Sequence, residues 1–277
     1  MRKLLNANFS LLWKNTVLWL GMGMMLAFSA AAMLNGCRQA MAEAGSGFQY
    51  TLDQYYFNLA PLIGLACAVF TSLFLGTEHS DGTLRNKLVV GHSRGRVYLA
   101  NLTACFAATL LMTAALLAGG LAGIPALGLW CMDGLSLGVY LGLLALAAAA
   151  LCAIFTLIGM VCPNRATGAV VSMLLFLGLL VAGSMLYNRL TEPELVSGVV
   201  ITAEGMQMTE PSPNPDYLSG AMRAVYEFLV DFLPTGQCIQ IADLSVARPL
   251  RMAASSLFIT LAVTAGGMFA FQKKNLK

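Results

Sequence analysis

The side chains best equipped for chemistry crowd into one polar stretch, Glu78-His79-Ser80-Asp81-Gly82-Thr83-Leu84-Arg85-Asn86-Lys87-Leu88-Val89-Val90-Gly91-His92-Ser93-Arg94. Both histidines of the chain fall within it. Its end, Gly91-His92-Ser93-Arg94-Gly95, matches G-x-S-x-G, the elbow that presents a nucleophilic serine. That elbow requires a strand, a sharp turn and a helix on a hydrolase sheet, and a short loop between two apolar runs supplies none of these. No H-E-x-x-H pair of zinc ligands and no G-x-x-x-x-G-K-[ST] phosphate loop occurs anywhere, so neither metalloprotease chemistry nor ATP binding of that kind is expected of this chain. The seven cysteines (37, 67, 105, 131, 152, 162 and 238) form no CxxC pair and have no histidine spacing for zinc. No cofactor or metal is therefore expected in the chain itself.

What the stretch does offer is an amphipathic element. Asp81-Gly82 is a turn signal, and Thr83–Val90 then reads as a short helix along a membrane surface. Leu84, Leu88 and Val89 are expected on its apolar face, with Arg85 and Lys87 presented elsewhere. Taken alone, this is equally a basic loop resting on anionic lipid.

The elements that hold the stretch are set by composition. Of 277 residues, 58% are hydrophobic and only 10% charged, and the mean hydropathy is +0.74. A soluble domain carries about 25% charged residues, so lipid must be the main solvent. Six windows lack Asp, Glu, Lys and Arg: 15–37, 54–77, 97–132, 134–164, 166–188 and 252–272. Each exceeds the roughly 20 residues that cross the hydrocarbon as a helix. The expected fold is an all-α integral membrane protein, one transmembrane domain over 1–277, with spans near 16–34, 57–77, 97–120, 136–161, 167–187 and 253–271. Gly119-Gly120 closes the third span, with a turn from Gly123, Ile124 and Pro125. The start, with Arg2, Lys3 and a small-residue cluster Ala30–Ala32, has traits of a signal peptide. Its amphipathic Leu4–Trp13 and the apolar run on to Leu34 favour a retained first span instead.

Lys and Arg set the orientation. With both ends cytoplasmic, 11 of the 16 basic residues lie inside, while 11 of the 13 acidic residues lie outside. The loop 78–96 is then cytoplasmic and the long segment 188–251 external. Cys37, Cys131 and Cys238 would share the outer side, where one disulfide is possible. In the outer segment, Gly205–Asp216 is polar, proline-rich and expected to be mobile. Beyond it Met222, Val225, Tyr226, Leu229, Val230 and Leu233 recur at helical spacing, with Arg223, Glu227 and Asp231 on another face. This predicts an interfacial helix ended by Pro234-Thr235-Gly236.

The spans themselves contain no Asp, Glu, Lys, Arg or His, which argues against a proton- or ion-coupled carrier, since such carriers place charge-bearing groups at mid-membrane. Gly119-x-x-x-Gly123 and Gly138-x-x-x-Gly142 fit close helix approach. Met22, Met24, Met25, Met173 and Met185 are either packing or the lining of an adaptable apolar path.

Glu78, Gly82, Thr83 and Leu84, followed by a short apolar-basic helix, then Gly91, Ser93, Arg94 and the start Val97-Tyr98 of the next span, resemble the permease subunits of type-2 ATP-binding-cassette exporters. The long outer segment and the basic tail Gln272–Lys277 resemble them too, and the layout is similar to the subgroup that handles peptide antibiotics. The resemblance implies that the loop is a coupling helix docking on a separate ATPase subunit, which would hold ATP and Mg. It implies that Glu78, Asp81, Gly82, Thr83, Leu84, Arg85, Lys87, Leu88, Ser93 and Arg94 serve that coupling. A homodimer, or a heterodimer with a related permease, is implied in a bacterial cell membrane, with lipid but no nucleic acid as a partner. The expected cargo is amphipathic or apolar, a peptide antibiotic or lipid-like molecule. The alternative is a non-transporting sensor or assembly factor using its outer loop to bind a ligand; co-purification with an ATPase separates the two.

Overall fold

A computed structural model describes residues 1–42, 51–128, 131–162, 164–197, 199–202, 205–208 and 210–274. Hydrocarbon leaves no water for unpaired backbone groups, so long apolar runs close their hydrogen bonds internally as helices. Among the described residues six helices are long and apolar enough to cross a membrane. They are α2 (Thr16–Ala42), α4 (Leu62–Ser80), α6 (Arg94–Gly120, prolonged by a 3-10 turn over Leu121–Gly123), α8 (Gly134–Val161), α9 (Arg165–Thr191) and α12 (Pro249–Lys273). The inner layer is α4, α6 and α8, mostly buried, while α2 packs on α6, α9 on α4, and α12 on α8 and α6.

Lipid gives no hydrophobic drive for helices to associate, so close backbone approach through small residues carries the packing. Ala100, Ala104 and Ala108 of α6 and Ala147, Ala148 and Ala150 of α8 are fully buried. Gly119 meets α2 so closely that a Cβ there would stand 2.4 Å from the Leu26 carbonyl oxygen. At Gly123 it would stand 2.5 Å from the Met33 sulfur. Gly138 and Gly142, by contrast, face open space. Only the first of the two small-residue pairs is a helix contact within the chain.

The helices run beyond the apolar windows, because charged side chains at helix ends reach water while the backbone stays helical. α4 continues through Glu78 and His79 to Ser80, and α6 opens at Arg94. The chain before α4 forms a separate short helix, α3 (Leu52–Tyr56), and a turn with Pro61 at the α4 N-cap, so α4 starts at Leu62 rather than near 57. After α6 the chain continues through α7 (Ile124–Leu127), with Pro125 in its first turn, to Gly128, whose φ is +78°. The N-terminal α1 (Arg2–Lys14) buries Leu4, Asn8 and Leu12, one face at four-residue spacing, against α6. It ends at Asn15, whose side chain accepts a hydrogen bond from the Val17 amide (2.8 Å) as α2 begins.

The segment between α9 and α12 departs most from expectation. Two strands fall in the stretch expected to be mobile: β3 (Gly205–Met208), antiparallel to β2 (Val199–Thr202), and β4 (Ser212–Pro213), antiparallel to β1 (Leu195–Val196). The β-branched run Val199-Val200-Ile201-Thr202 favours the ladder. Next, α10 (Gly220–Phe232) ends at Leu233, and Pro234 opens a further helix, α11 (Pro234–Ala242), where a proline at the first position lacks only an amide that would go unpaired. The pair forms a hairpin whose tip dips among the spans. Thr235 Oγ1 donates to the Leu179 carbonyl (2.7 Å), twelve residues or about 18 Å short of the end of α9. Along α10, Arg223 and Glu227 pair with each other, Glu227 and the buried Asp231 also meet Arg248 and Arg251, and Met222, Val225, Phe228 and Leu229 are exposed. All seven cysteines are free; Cys37 and Cys238 are buried and Cys131 is exposed, so the three do not form the disulfide considered from sequence.

Candidate functional site

The stretch from Glu78 to Arg94 folds as turn, helix and turn. Asp81 closes α4, its amide bonding the Thr77 carbonyl (2.9 Å). Gly82 follows at φ +67°, a left-handed conformation that glycine adopts without strain. Thr83 Oγ1 donates back to the Glu78 carbonyl (3.1 Å). The helix α5 (Thr83–Val89) is followed by a second glycine at positive φ, Gly91 at φ +97°, and Ser93 occupies the N-cap position of α6. The sheet that a serine elbow requires is absent around Ser93; the strands described lie between 195 and 213.

The inward side of α5 is Leu84, Lys87 and Leu88, three and four residues apart on one face. Leu84 is buried and Leu88 packs against the core. Lys87 does not point away from the apolar face, as its spacing suggests; its ammonium enters the protein and forms an ion pair with Glu78. It also donates to Asn8 Oδ1 (2.7 Å) and Asn101 Oδ1 (3.4 Å). Asn101 Nδ2 donates to the other Glu78 oxygen (2.7 Å), and Asn8 Nδ2 to Asn101 Oδ1 (2.6 Å). Glu78 is 4% exposed and Lys87 12%. A charge pair so deep is tolerable only when its remaining hydrogen-bonding positions are filled. Here Asn8 of α1 and Asn101 of α6 fill them, tying four elements into one polar knot.

Arg94 also turns inward. Its Nη1 donates to the carbonyls of Phe271 (3.1 Å), Gln272 (2.9 Å) and Lys274 (2.5 Å) at the C-terminus of α12, where backbone carbonyls run short of amide donors. A cation there also complements the negative helix terminus. Lys274 in turn donates to the Met160 carbonyl (3.1 Å), and burial holds its ammonium pKa below that of an ordinary lysine.

What α5 leaves outward is Arg85, Asn86, Val89 and Val90, with Asp81, Gly91, Ser93 and Arg96 around them. Val89 and Val90 are 78% and 77% exposed. Val89 therefore sits opposite the apolar face to which its spacing assigned it. Asn8, Asn101 and Arg96 were not singled out from sequence. The available signals were an asparagine on the apolar stripe of α1 and another inside a charge-free window.

An apolar groove of 600 Å³ runs between α2, α4 and α6, lined by Met24, Met25, Phe28, Leu65, Phe70 and Met112 among others. Of the methionines singled out from sequence, Met24 and Met25 are in this lining. Among the described residues, no group of three or more His, Cys, Asp or Glu side chains is arranged to hold a metal.

Six apolar helices in two layers, with a loop helix locked into a buried polar knot at one face, define a multi-pass integral membrane protein. The family model described as ABC-2 family transporter protein matches residues 4–183, well over half of the chain, and the chain belongs to that family. No curated protein and no solved structure matches it. Members of this family are the membrane components of their transporters, not the catalytic ones, and generally work with a separate ATP-binding subunit.

Proposed function

We propose that this chain is the permease subunit of an exporter, driven by a separate ATPase that docks on the outward side of α5. The observation that carries the reading is the division of that helix. One side is anchored through Leu84, Lys87 and Leu88, and the other presents Val89 and Val90 between Arg85 and Arg96. An apolar pair flanked by cations suits a shallow acidic-rimmed groove on a partner, and a helix rigidly joined to α1, α4 and α6 passes on any force applied to it. The excess of Lys and Arg assigns this face and both termini to the cytoplasm. ATP and Mg belong to the partner, and a second permease, identical or related, completes the channel.

The cargo is an amphipathic or apolar molecule of the peptide-antibiotic or lipid-like kind. The groove between α2 and α4 is lined almost wholly by carbon and sulfur, and its methionines adapt to varied apolar shapes. Deleting Thr83–Val90 would be a poor test, because it removes Lys87 and strands the buried Glu78. Val89→Asp and Val90→Asp change only exposed positions. With the ATPase that co-purifies in gentle detergent, each should abolish substrate-stimulated ATP hydrolysis while the permease stays as stable as before. Normal stimulation in both variants would sink the proposal.

A further inference from the structure

The helix α12 is gripped by side chains at both ends. At the α5 face, Arg94 holds the carbonyls of Phe271, Gln272 and Lys274. One turn along α6, Tyr98 packs beside Phe271 (ring centroids 6.4 Å apart) and against Gly267, where a Cβ would stand 2.1 Å from the phenol oxygen. The end of α12 therefore cannot shift without α6 and the loop that leads into it. At the opposite face, Arg251 Nε donates to Asp231 of α10 (2.6 Å), and Arg248 pairs with Glu227 while lying 3.8 Å from Asp231. Asp231 is 4% exposed and also accepts from Gln240 of α11 (2.9 Å). Gln237 of α11 donates to the Met252 carbonyl (3.0 Å) and accepts from Ser256 (2.7 Å), so the first two turns of α12 are stitched to the hairpin. From Arg251 to Lys273 the helix is unbroken, 22 residue steps or about 33 Å.

We infer that α12 conveys displacement of the α5 loop to the α10–α11 hairpin on the opposite face, with Arg94 and Asp231 as the positioning residues at its two ends. A rod held by directional contacts at both ends moves both together, and interfaces of packed helices shift between discrete arrangements rather than deforming smoothly. Through this link a push on α5 reaches the place where the hairpin tip dips among the spans. Its use in opening an exit rests on the permease reading; the mechanical link itself does not.

Amide hydrogen exchange of the full-length chain in lipid nanodiscs, read by mass spectrometry, tests the link without any ATPase. Coupling between sites is reciprocal. Arg94→Ala should speed exchange across 230–242 about fivefold or more, and Asp231→Asn should do the same across 268–274. Arg85→Ala, at an exposed position of α5, should leave both segments unchanged. Faster exchange confined to the mutated end in each variant overturns the inference. Because each end has its own variant, loss of fold in one, seen as rapid exchange throughout α8, leaves the other to decide. If the link holds while Val89→Asp and Val90→Asp retain normal coupling, the exporter reading fails and this inference stands; the reverse pattern overturns this inference alone.

Discussion

Replacing Lys87 by methionine should be among the most damaging single changes available in this chain. Its ammonium compensates a carboxylate that is only 4% exposed, and no other cation is hydrogen-bonded to Glu78 among the described residues. Breaking a buried pair by removing one partner costs about 3–5 kcal/mol, because the remaining charge stays desolvated. An exposed pair such as Arg189–Asp216, with side chains 47% and 60% exposed, is typically worth less than about 1 kcal/mol. At 1.4 kcal/mol per tenfold, Lys87→Met should lower the folding equilibrium constant by about two to three and a half orders of magnitude. The double variant Glu78→Gln/Lys87→Met removes both charges and should recover most of that loss, since the neutral amide replacing the Glu78 carboxylate can still accept from Asn101. Reversible unfolding of the full-length chain in mixed micelles titrated with a denaturing detergent, followed by tryptophan fluorescence, measures both. A single variant within about 1 kcal/mol of the parent, or a double variant no better than the single, would refute the claim that Lys87 serves the fold.

Two further outcomes follow from packing and burial. Gly119→Ala should destabilise by about 1–3 kcal/mol in the same unfolding assay, because the new methyl meets the α2 backbone at 2.4 Å. Gly138→Ala and Gly142→Ala, with nothing within 4 Å, should be neutral or stabilising by up to about 1 kcal/mol. A soluble maleimide at neutral pH should modify Cys131, which is exposed, and spare Cys238, which is buried, with or without reductant. Labelling of Cys238 in the folded protein, or a mass change on reduction, would contradict the structure.

The six long helices were legible because hydrocarbon imposes length and apolarity together, and few soluble folds satisfy both. Their ends were not legible, because a helix does not stop where lipid does. Ser80, Arg94, Arg165 and Thr191 all lie within or at the limits of helices beyond the apolar windows. The periodicity of α10 correctly separated an apolar face from a charged one, but it says nothing about which is covered. In water the apolar face turns inward. Beside lipid the reverse is stable, provided each charge finds a partner, as Glu227 and Asp231 do in Arg248 and Arg251. The strand pair at 199–208 was only half legible: four β-branched residues in a row favour β2, but its partner Gly205-Met206-Gln207-Met208 carries no such signal.

The loop shows a different limit. Its first turn was readable from Asp81-Gly82, since left-handed backbone favours glycine whatever lies around it, and Gly91 serves the second in the same way. The directions of Lys87 and Arg94 were not readable, because their partners, Asn8, Asn101 and the end of α12, stand far away in sequence. A motif shared with permeases does not separate residues that meet a partner from residues that hold the fold. Here Glu78, Leu84, Lys87 and Arg94 face inward, leaving Arg85, Val89, Val90 and Arg96 as the accessible set. The division has a physical logic. A seven-residue helix is far below the length at which a helix is stable alone in water, and a loop held only by solvent would yield when pushed. Burying a charge on α5 makes detachment cost several kcal/mol, so force on its outer face moves α1, α4 and α6 before it peels the helix away. On the proposed reading, that stiffness is what would let a partner outside the membrane act on the spans.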